Sequence, residues 1–118
     1  MNLSLEQAKK ALGNTGENPA VGCIITRHNN VISAGYTSPS GKPHAEYNAI
    51  NFSKIKTSDS NLYVTLEPCS HFGKTPPCVR NIIRNKIKRV FFSINDPDPR
   101  SFKKCEKILR LKKIIIIK

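Results

Sequence analysis

The stretch "YVTLEPCSHFGKTPPC", residues 63–78, places a strand, a loop and a helix start within sixteen residues. Its first residues complete the apolar and β-branched run "NLYVTL", which predicts a strand over 61–66. A loop containing Cys69 follows, and two prolines close it directly before Cys78. Because proline favours the first turn of a helix, we predict that the helix "CVRNIIRNKI" begins at Cys78. Two cysteines are therefore expected at the ends of one loop between a strand and a helix.

Helical and strand patterns alternate on both sides of this stretch. The hydrophobic periodicity predicts helices over 3–12, 44–52 and 102–111, and strands over 21–26, 31–36, 89–94 and 114–118. The segment "RHNN" between the first two strands predicts a hairpin with Asn29 and Asn30 at its turn. This order of elements predicts a three-layer α/β/α domain with a mixed five-stranded sheet, an antiparallel pair at one side and parallel crossovers after it. Because no repeat or linker interrupts the pattern, we expect one domain over 1–118.

The formal charge of +12 lies mostly in the C-terminal third of the chain. Residues 81–118 hold 12 Lys and Arg against 3 Asp and Glu, a net +9, whereas residues 1–80 hold 8 against 5, a net +3. Such an excess is typical either of an anionic partner, such as RNA or a phosphorylated metabolite, or of solvated lysines in a Lys- and Ile-rich composition. No aromatic residues alternate with the basic ones, so nucleic acid is the less favoured partner.

The composition also bears on the compartment. No run approaches the roughly 18 apolar residues of a membrane span, and "MNLSLEQAKK" has no apolar signal core. We therefore expect a cytoplasmic protein without membrane contact, in which cysteines act as metal ligands, reactive thiols or core residues. Cys23, in an apolar strand, and Cys105, on a late helix, are expected in the core. His28 falls in the hairpin turn and receives no role.

A second stretch, "KPHAEYNAI" at residues 42–50, contains His44 and Glu46. Taken alone, the pair fits either a capped helix or half of a chemical site. Together with Cys69 and Cys78, His44 completes three ligands of the types that zinc prefers, and catalytic zinc sites keep three protein ligands with water in the fourth place. Glu46 would be the carboxylate that moves protons beside the metal. The alternative is a structural zinc site, which ordinarily has a fourth Cys or His ligand.

These residues resemble the signature of zinc nucleobase deaminases, H-x-E followed by P-C-x-x-C. Here the second cysteine comes nine positions after the first. This longer form resembles the deaminase domain of the bifunctional riboflavin-biosynthesis proteins, RibD or RibG. The blocks "NPAVGCII", "GKPHAE" and "INDPDP" are similar to blocks of that family in the same order, so the resemblance covers about Leu3 to Arg110.

The resemblance implies a zinc-dependent hydrolase. Its expected reaction converts 2,5-diamino-6-(5-phosphoribosylamino)pyrimidin-4(3H)-one into 5-amino-6-(5-phosphoribosylamino)uracil and ammonia. It implies one zinc ion per chain, held by His44, Cys69 and Cys78, with Glu46 as the general acid and base.

The resemblance further implies substrate contacts by Asn18, Ala45, His71, Lys74, Asp96 and Asp98. Asn18 would read the pyrimidine ring, although an Asn before Pro also forms turns. His71 and Lys74, between the two cysteine ligands, would hold the ribose and phosphate. Asp98 stands where the family usually has Asn, and its charge would repel a nearby phosphate.

Two expectations concern partners. The reductase domain that follows in RibD is absent and the chain is short after "DPDPR", so we expect either a separate reductase polypeptide or a truncated gene. The four isoleucines at 114–117 predict an apolar edge strand that a homodimer or a reductase would cover.

Two alternative functions stay open. One is a tRNA or cytidine deaminase with the same zinc core, which the cysteine spacing disfavours. The other is a basic, zinc-stabilised RNA-binding module without turnover, which would have no need of Glu46.

Overall fold

The computed structural model describes residues 1–71, 76–100 and 102–118. The helices are α1 (Asn2–Ala11), α2 (Ala45–Phe52), α3 (Cys78–Arg84) and α4 (Lys104–Leu111), with a short 3-10 segment at Pro39–Gly41. The strands are β1 (Gly22–Arg27), β2 (Asn30–Tyr36), β3 (Asn61–Leu66), β4 (Arg89–Ile94) and β5 (Ile115–Ile117). The predicted order of elements is confirmed.

The five strands form one sheet in the order β2-β1-β3-β4-β5. Strand β1 pairs antiparallel with β2 and β3, whereas β3, β4 and β5 run parallel. Helix α1 packs on β1, β2 and β3 from one face; α2 packs on β1 and β2 from the other face, next to α3, and α4 packs beside α3 and β5. The mixed sheet and the three α/β/α layers confirm the predicted fold class, with β5 at the expected edge.

The main core lies between the sheet and helices α2 to α4. Strand residues that face these helices are almost fully buried, because their side chains alternate with those on the α1 face. Cys23 and Cys105 are both fully buried, which confirms that they are core residues. Burial raises the pKa of both thiols. The core-facing strand residues include Ile25, Leu62, Val64, Val90, Phe92 and Ile116.

The hairpin turn lies one residue earlier than predicted. Its two residues are His28 and Asn29, with φ of 50° and 63°, and Arg27 pairs with Asn30. A two-residue hairpin turn with two positive φ angles matches the right-handed twist of its strands, which decides the position of the turn. The His28 side chain is exposed, as expected.

Several element boundaries differ from the predicted ranges by one to three residues, and two of these differences have a visible cause. Helix α3 ends at Arg84 rather than Ile87, because Lys86 takes a left-handed φ of 57° and Ile87 turns into the core. Ile114 lies outside β5, since its N–H donates to the carbonyl of Leu109 and closes α4 (3.1 Å). Among the helices of the described ranges, none has both the length and the apolar character needed to cross a membrane.

Candidate active site

Three separate segments bring a histidine and two cysteines together. His44 is the N-cap of α2, Cys69 follows the end of β3 by three residues, and Cys78 is the first residue of α3. Their ligand atoms all lie within 4.8 Å of one another. His44 Nδ1 is 3.6 Å from Cys69 Sγ and 3.4 Å from Cys78 Sγ. The three residues predicted as metal ligands therefore form one cluster.

The geometry of this cluster fits a zinc ion. Tetrahedral zinc with ordinary Zn–N and Zn–S bonds holds a nitrogen and a sulfur about 3.6 Å apart. Both nitrogen–sulfur distances are close to that value. The backbone N–H of Cys78 donates to Cys69 Sγ at 3.1 Å, and such a donor at a helix N-terminus favours the thiolate. Within the described ranges, the metal-ligand group comprises these three side chains.

Hydrogen bonds between the two thiols and the imidazole shift the pKa values of all three groups. The hydrogen bond from Cys78 lowers the pKa of Cys69 to about 4, whereas the hydrogen bond with Cys69 raises the pKa of Cys78 well above its usual value. The pKa of His44 is raised, chiefly by its hydrogen bond with Cys69. A divalent cation bound by both sulfurs would hold them as thiolates.

Glu46 lies beside the ligands in the first turn of α2 and is 3% exposed. Burial raises the pKa of its carboxyl to about 7, and the charge of Cys69 adds to the rise. A bound cation would act in the opposite sense and favour the carboxylate. Glu46 is thus a carboxyl group that can hold or release a proton near neutral pH, next to the three ligands.

Helix α2 is held directly against β2, and this contact positions His44 and Glu46. A Cβ at Gly35 would lie 2.5 Å from the N of Ala49, so only glycine permits the approach. Ser33 Oγ also donates to the Ala49 carbonyl.

Asn48, one turn after His44, extends this anchoring to the chain before the helix. Its Nδ2 donates to the carbonyl of Tyr36 and to Ser38 Oγ, both at 2.8 Å. Sequence reasoning missed Asn48; a polar residue on the apolar face of the helix was the available signal.

The segment with Asn18 lies against the chain that leads into α2. A Cβ at Gly41, whose φ is 92°, would lie 2.2 Å from Asn18 Nδ2. Thr37, buried, accepts a hydrogen bond from the N–H of Val21 at 2.9 Å and donates to the Pro19 carbonyl at 3.2 Å. Asn18 is therefore fixed next to the segment before His44.

The other predicted substrate contacts are placed as follows. Ala45 is fully buried between His44 and Glu46, and His71 is half-buried two residues after Cys69. Lys74 lies outside the described residues.

Asp96 and Asp98 follow the C-terminal end of β4, and Cys69 follows the C-terminal end of β3. Because β3 and β4 are parallel neighbours, these residues lie at the same end of the sheet. Asp98 is paired with the guanidinium of Arg100 at 2.7 Å, which holds the pKa of its carboxyl well below its usual range. Its charge is therefore compensated by Arg100, and the repulsion expected from the sequence is reduced.

Glu67, which the sequence reasoning also missed, lies between the loop after β4 and the loop that carries Cys69. Its carboxylate accepts hydrogen bonds from Asn95 Nδ2 at 2.9 Å and from the N–H of Asp96 at 3.0 Å. The only sequence signal was an acidic residue at the end of an apolar strand.

Residues 1–94 match the cytidine and deoxycytidylate deaminase zinc-binding region. The match includes the three clustered ligands and Glu46. The chain belongs to the cytidine and deoxycytidylate deaminase family. Within this zinc-binding family, His44, Cys69 and Cys78 form the candidate zinc site.

The chain is similar to a riboflavin biosynthesis protein and to a pyrimidine deaminase, both from bacteria. The chain is 48% identical over 99 residues to the riboflavin biosynthesis protein RibD of Aquifex aeolicus, covering 84% of the chain and 28% of that relative. It is 40% identical over 116 residues to the diaminohydroxyphosphoribosylamino-pyrimidine deaminase of Buchnera aphidicola subsp. Schizaphis graminum, covering 98% of the chain and 79% of that protein. The chain thus spans only 28% of the length of that RibD relative.

The fold agrees with these similarities. A crystal structure of a diaminohydroxyphosphoribosylaminopyrimidine deaminase/5-amino-6-(5-phosphoribosylamino)uracil reductase from Thermotoga maritima matches with a TM-score of 0.93 at 38% identity. The match covers 99% of this chain and 34% of the Thermotoga chain. The predicted resemblance to the RibD deaminase domain is confirmed.

Proposed function

We propose that this protein is the zinc-dependent deaminase of riboflavin biosynthesis that acts on 2,5-diamino-6-(5-phosphoribosylamino)pyrimidin-4(3H)-one. Its products would be 5-amino-6-(5-phosphoribosylamino)uracil and ammonia. The observation that carries the reaction class is the cluster of three metal ligands with the buried carboxyl of Glu46 beside it. The choice of substrate rests on the Buchnera deaminase, which is similar over 98% of the chain.

His44, Cys69 and Cys78 would hold the metal. A zinc ion there would supply a Lewis acid that makes a hydroxide nucleophile available near neutral pH. His44 and Cys78 stand at the N-termini of α2 and α3, and these helices fix the positions of the two ligands. The N–H of Cys78 stabilises the charge on Cys69.

Glu46 would carry the protons of the reaction. As a carboxylate it takes a proton from the attacking water, and as an acid it delivers protons to the ring nitrogen and then to the leaving amine. Carbon–oxygen bond formation and carbon–nitrogen cleavage are thereby balanced by transfer of the water protons to nitrogen. Burial raises the pKa of this carboxyl and a bound cation would lower it, so the group can serve in both directions of transfer.

Substrate contacts are proposed for residues on the loops around this cluster. Asn18 would face the pyrimidine ring next to Ala45, and Asp96 would approach the ribose. His71 and Lys74, which lie between the two cysteines in the sequence, would hold the phosphorylated ribose. The ion pair with Arg100 would offset the negative charge of Asp98, so that an anionic phosphate could bind nearby.

The decisive experiment measures ammonia release by the isolated chain together with its zinc content. The substrates compared are the pyrimidine phosphate, free cytidine and tRNA. We expect release from the pyrimidine phosphate with one zinc per chain. Release only from cytidine or tRNA would favour another deaminase, and RNA binding without release from any substrate would favour a non-catalytic module.

We also propose that the exposed face at the β5 edge is covered by a partner, which is a second copy of this chain or a separate reductase. Ile115 and Ile117 are 44% and 42% exposed, whereas Ile116 between them is 6% exposed. One face of the strand is therefore apolar and open, and proteins usually cover such edges.

We further propose that the protein works in the cytoplasm. All four of its cysteines are free thiols, and two of them lie in the metal cluster. A reducing compartment would keep these ligands available to zinc.

A further inference from the structure

Glu67 carries a concentrated set of hydrogen bonds close to the candidate site. It is 2% exposed and is not one of the metal ligands. One carboxylate oxygen accepts from Asn95 Nδ2 at 2.9 Å, from the N–H of Asp96 at 3.0 Å and from the N–H of Lys103 at 3.2 Å. The other oxygen accepts from the N–H of Cys105 at 3.2 Å. Four donors, two from the loop after β4 and two from the N-terminus of α4, therefore converge on a single buried carboxylate.

These donors belong to two parts of the chain, the N-terminus of α4 and the loop after β4. The N–H groups of Lys103 and Cys105 belong to the N-terminus of α4, where Lys103 is the N-cap and makes no side-chain cap of its own. Glu67 thus caps this helix from a distant strand and favourably meets its dipole.

The Asp96 N–H belongs to the loop after β4, and Asp96 Oδ1 in turn accepts from the N–H of Asp98 at 3.0 Å. The turn that carries both aspartates is therefore built on Glu67.

The backbone of Glu67 ties the same segment to the metal loop. Its N–H donates to the carbonyl of Ile94 at 2.8 Å, which extends the pairing of β3 with β4 by one more step. Pro68, fully buried, and the ligand Cys69 come directly after it. Any shift of Glu67 would consequently move the loop of Asp96 relative to the metal ligands.

We infer that Glu67 is a positioning residue that fixes the loop of Asp96 and Asp98 against the metal loop, and so sets the affinity for the ribose phosphate part of the substrate. The inference rests on the proposed deaminase function. Glu67 lies outside the cluster of candidate metal ligands and acts through the backbone of Asp96.

The test substitution is Glu67→Gln, which keeps the shape of the side chain. Its Oε1 can take the place of the oxygen that meets Asp96 and Lys103, without the negative charge, and its Nε2 hydrogens would then point at the N–H of Cys105. We expect the amide hydrogens of Asp96, Lys103 and Cys105 to exchange about tenfold faster or more, since each loses part of a charge-assisted bond. The amide of Asn48, which donates to the His44 carbonyl in α2, should keep its wild-type exchange rate.

Steady-state kinetics separate positioning from general stability. For the pyrimidine phosphate we expect KM to rise about tenfold while kcat stays within about twofold, because ground-state binding is lost and proton transfer by Glu46 is not. Zinc should remain at one per chain. Glu67→Asp keeps the charge on a shorter side chain, so its KM and exchange rates should fall between those of Glu67→Gln and the wild type.

Glu106→Gln is the matched control. It removes an acidic charge from the first turn of the same helix, where Glu106 pairs with Arg110 and Lys118 at 2.9 Å each. Its KM and the exchange rate of the Asp96 amide should equal those of the wild type.

A double-mutant cycle adds an independent check. If Glu67 acts through Asp96, Glu67→Gln combined with Asp96→Ala should raise KM no further than Asp96→Ala alone. Additive effects on KM would contradict the inference.

Other outcomes overturn it as well. A Glu67→Gln variant with lower thermal stability and unchanged KM would show a purely structural helix cap. Loss of zinc with unchanged KM would place Glu67 in metal binding instead. A wild-type chain that binds zinc but releases no ammonia would contradict the proposed function, and the exchange rates would then still decide whether Glu67 holds the Asp96 loop.

Discussion

Glu46 combines burial with a position next to three metal ligands, and this combination distinguishes it from other acidic residues of the chain. Burial raises the pKa of a carboxyl group and favours its neutral form, whereas a nearby cation lowers the pKa and favours the charged form. Glu46 experiences the first effect from the core and would experience the second from a bound metal. A carboxyl held between these two influences is suited to proton transfer in both directions.

Replacing this carboxyl tests its role directly. Glu46→Gln should lower kcat for ammonia release by about 10²-fold or more, because an amide cannot carry the proton. Zinc content and the thermal unfolding temperature should stay near those of the wild type. Glu6→Gln, on an exposed residue of α1 that pairs with Lys9, is the control and should leave kcat unchanged.

A second variant gives the contrast. Cys78→Ser should lose zinc as well as activity, since the hydroxyl is a far weaker ligand than a thiolate. Turnover retained in Glu46→Gln would remove Glu46 from the mechanism.

At the scale of elements, the contact between α2 and β2 holds the first half of the site. Gly35 lets the helix backbone touch the strand, and Asn48 ties the helix to the chain before it. The second half comes from the loop after β3 and the first residue of α3, which carry the two cysteines. Because the ligands belong to different elements, their distances depend on how closely α2 sits on the sheet.

Gly35→Ala tests this dependence. The new Cβ would lie 2.5 Å from the N of Ala49 and 2.6 Å from the carbonyl oxygen of Ala45, both backbone atoms. We expect the free energy of unfolding to fall by roughly 2–3 kcal/mol and zinc occupancy to fall with it, because α2 must move and His44 moves too. Chemical denaturation and metal analysis measure the two effects.

Gly13→Ala is the control for loss of a glycine. Gly13 has a φ of 78° with nothing within 4 Å of its would-be Cβ, so only backbone strain of about 1 kcal/mol is expected, without loss of zinc. Equal zinc loss in both variants would contradict the proposed importance of the α2 contact.

At the scale of the whole molecule, the surface that bears on partners lies on the face of the sheet that packs against α1, over strands β3, β4 and β5, which α1 covers least. Tyr63 and Phe91 stack there with ring centroids 4.3 Å apart, and Phe91 pairs with Ile117 on the neighbouring strand. Together with the exposed Ile115, these side chains form an apolar surface at the β5 edge. A partner that covered it would gain hydrophobic stabilisation without changing the metal cluster.

This surface predicts self-association. Sedimentation equilibrium at micromolar concentration should give about twice the chain mass of 13.2 kDa. Ile117→Lys should shift the population to monomer, because burial of a charge in an apolar interface is unfavourable. Leu111→Lys, at an exposed position on α4, is the matched control and should stay dimeric.

A wild-type monomer at that concentration would contradict the second copy. The separate reductase would then be the remaining candidate partner, and its binding should be weakened by the same Ile117→Lys substitution.

The local features of this protein follow from short stretches of sequence. The period of the apolar residues determines which segments are helices and strands, and Pro77 before Cys78 determines where α3 begins. The H-x-E pair and the long cysteine spacing pointed to the candidate ligands and the candidate carboxyl, because metal coordination restricts residue type and separation more strictly than packing does.

Only the tertiary structure decided how these pieces meet. The hairpin turn at His28 and Asn29 depends on the pairing register across two strands, and the end of α3 depends on where Ile87 enters the core. The roles of Glu67 and Asn48 arise from contacts with segments distant in sequence, such as the 28 positions that separate Glu67 from Asn95. Such contacts leave no local pattern, because a buried polar residue is stabilised by whichever donors the fold brings to it.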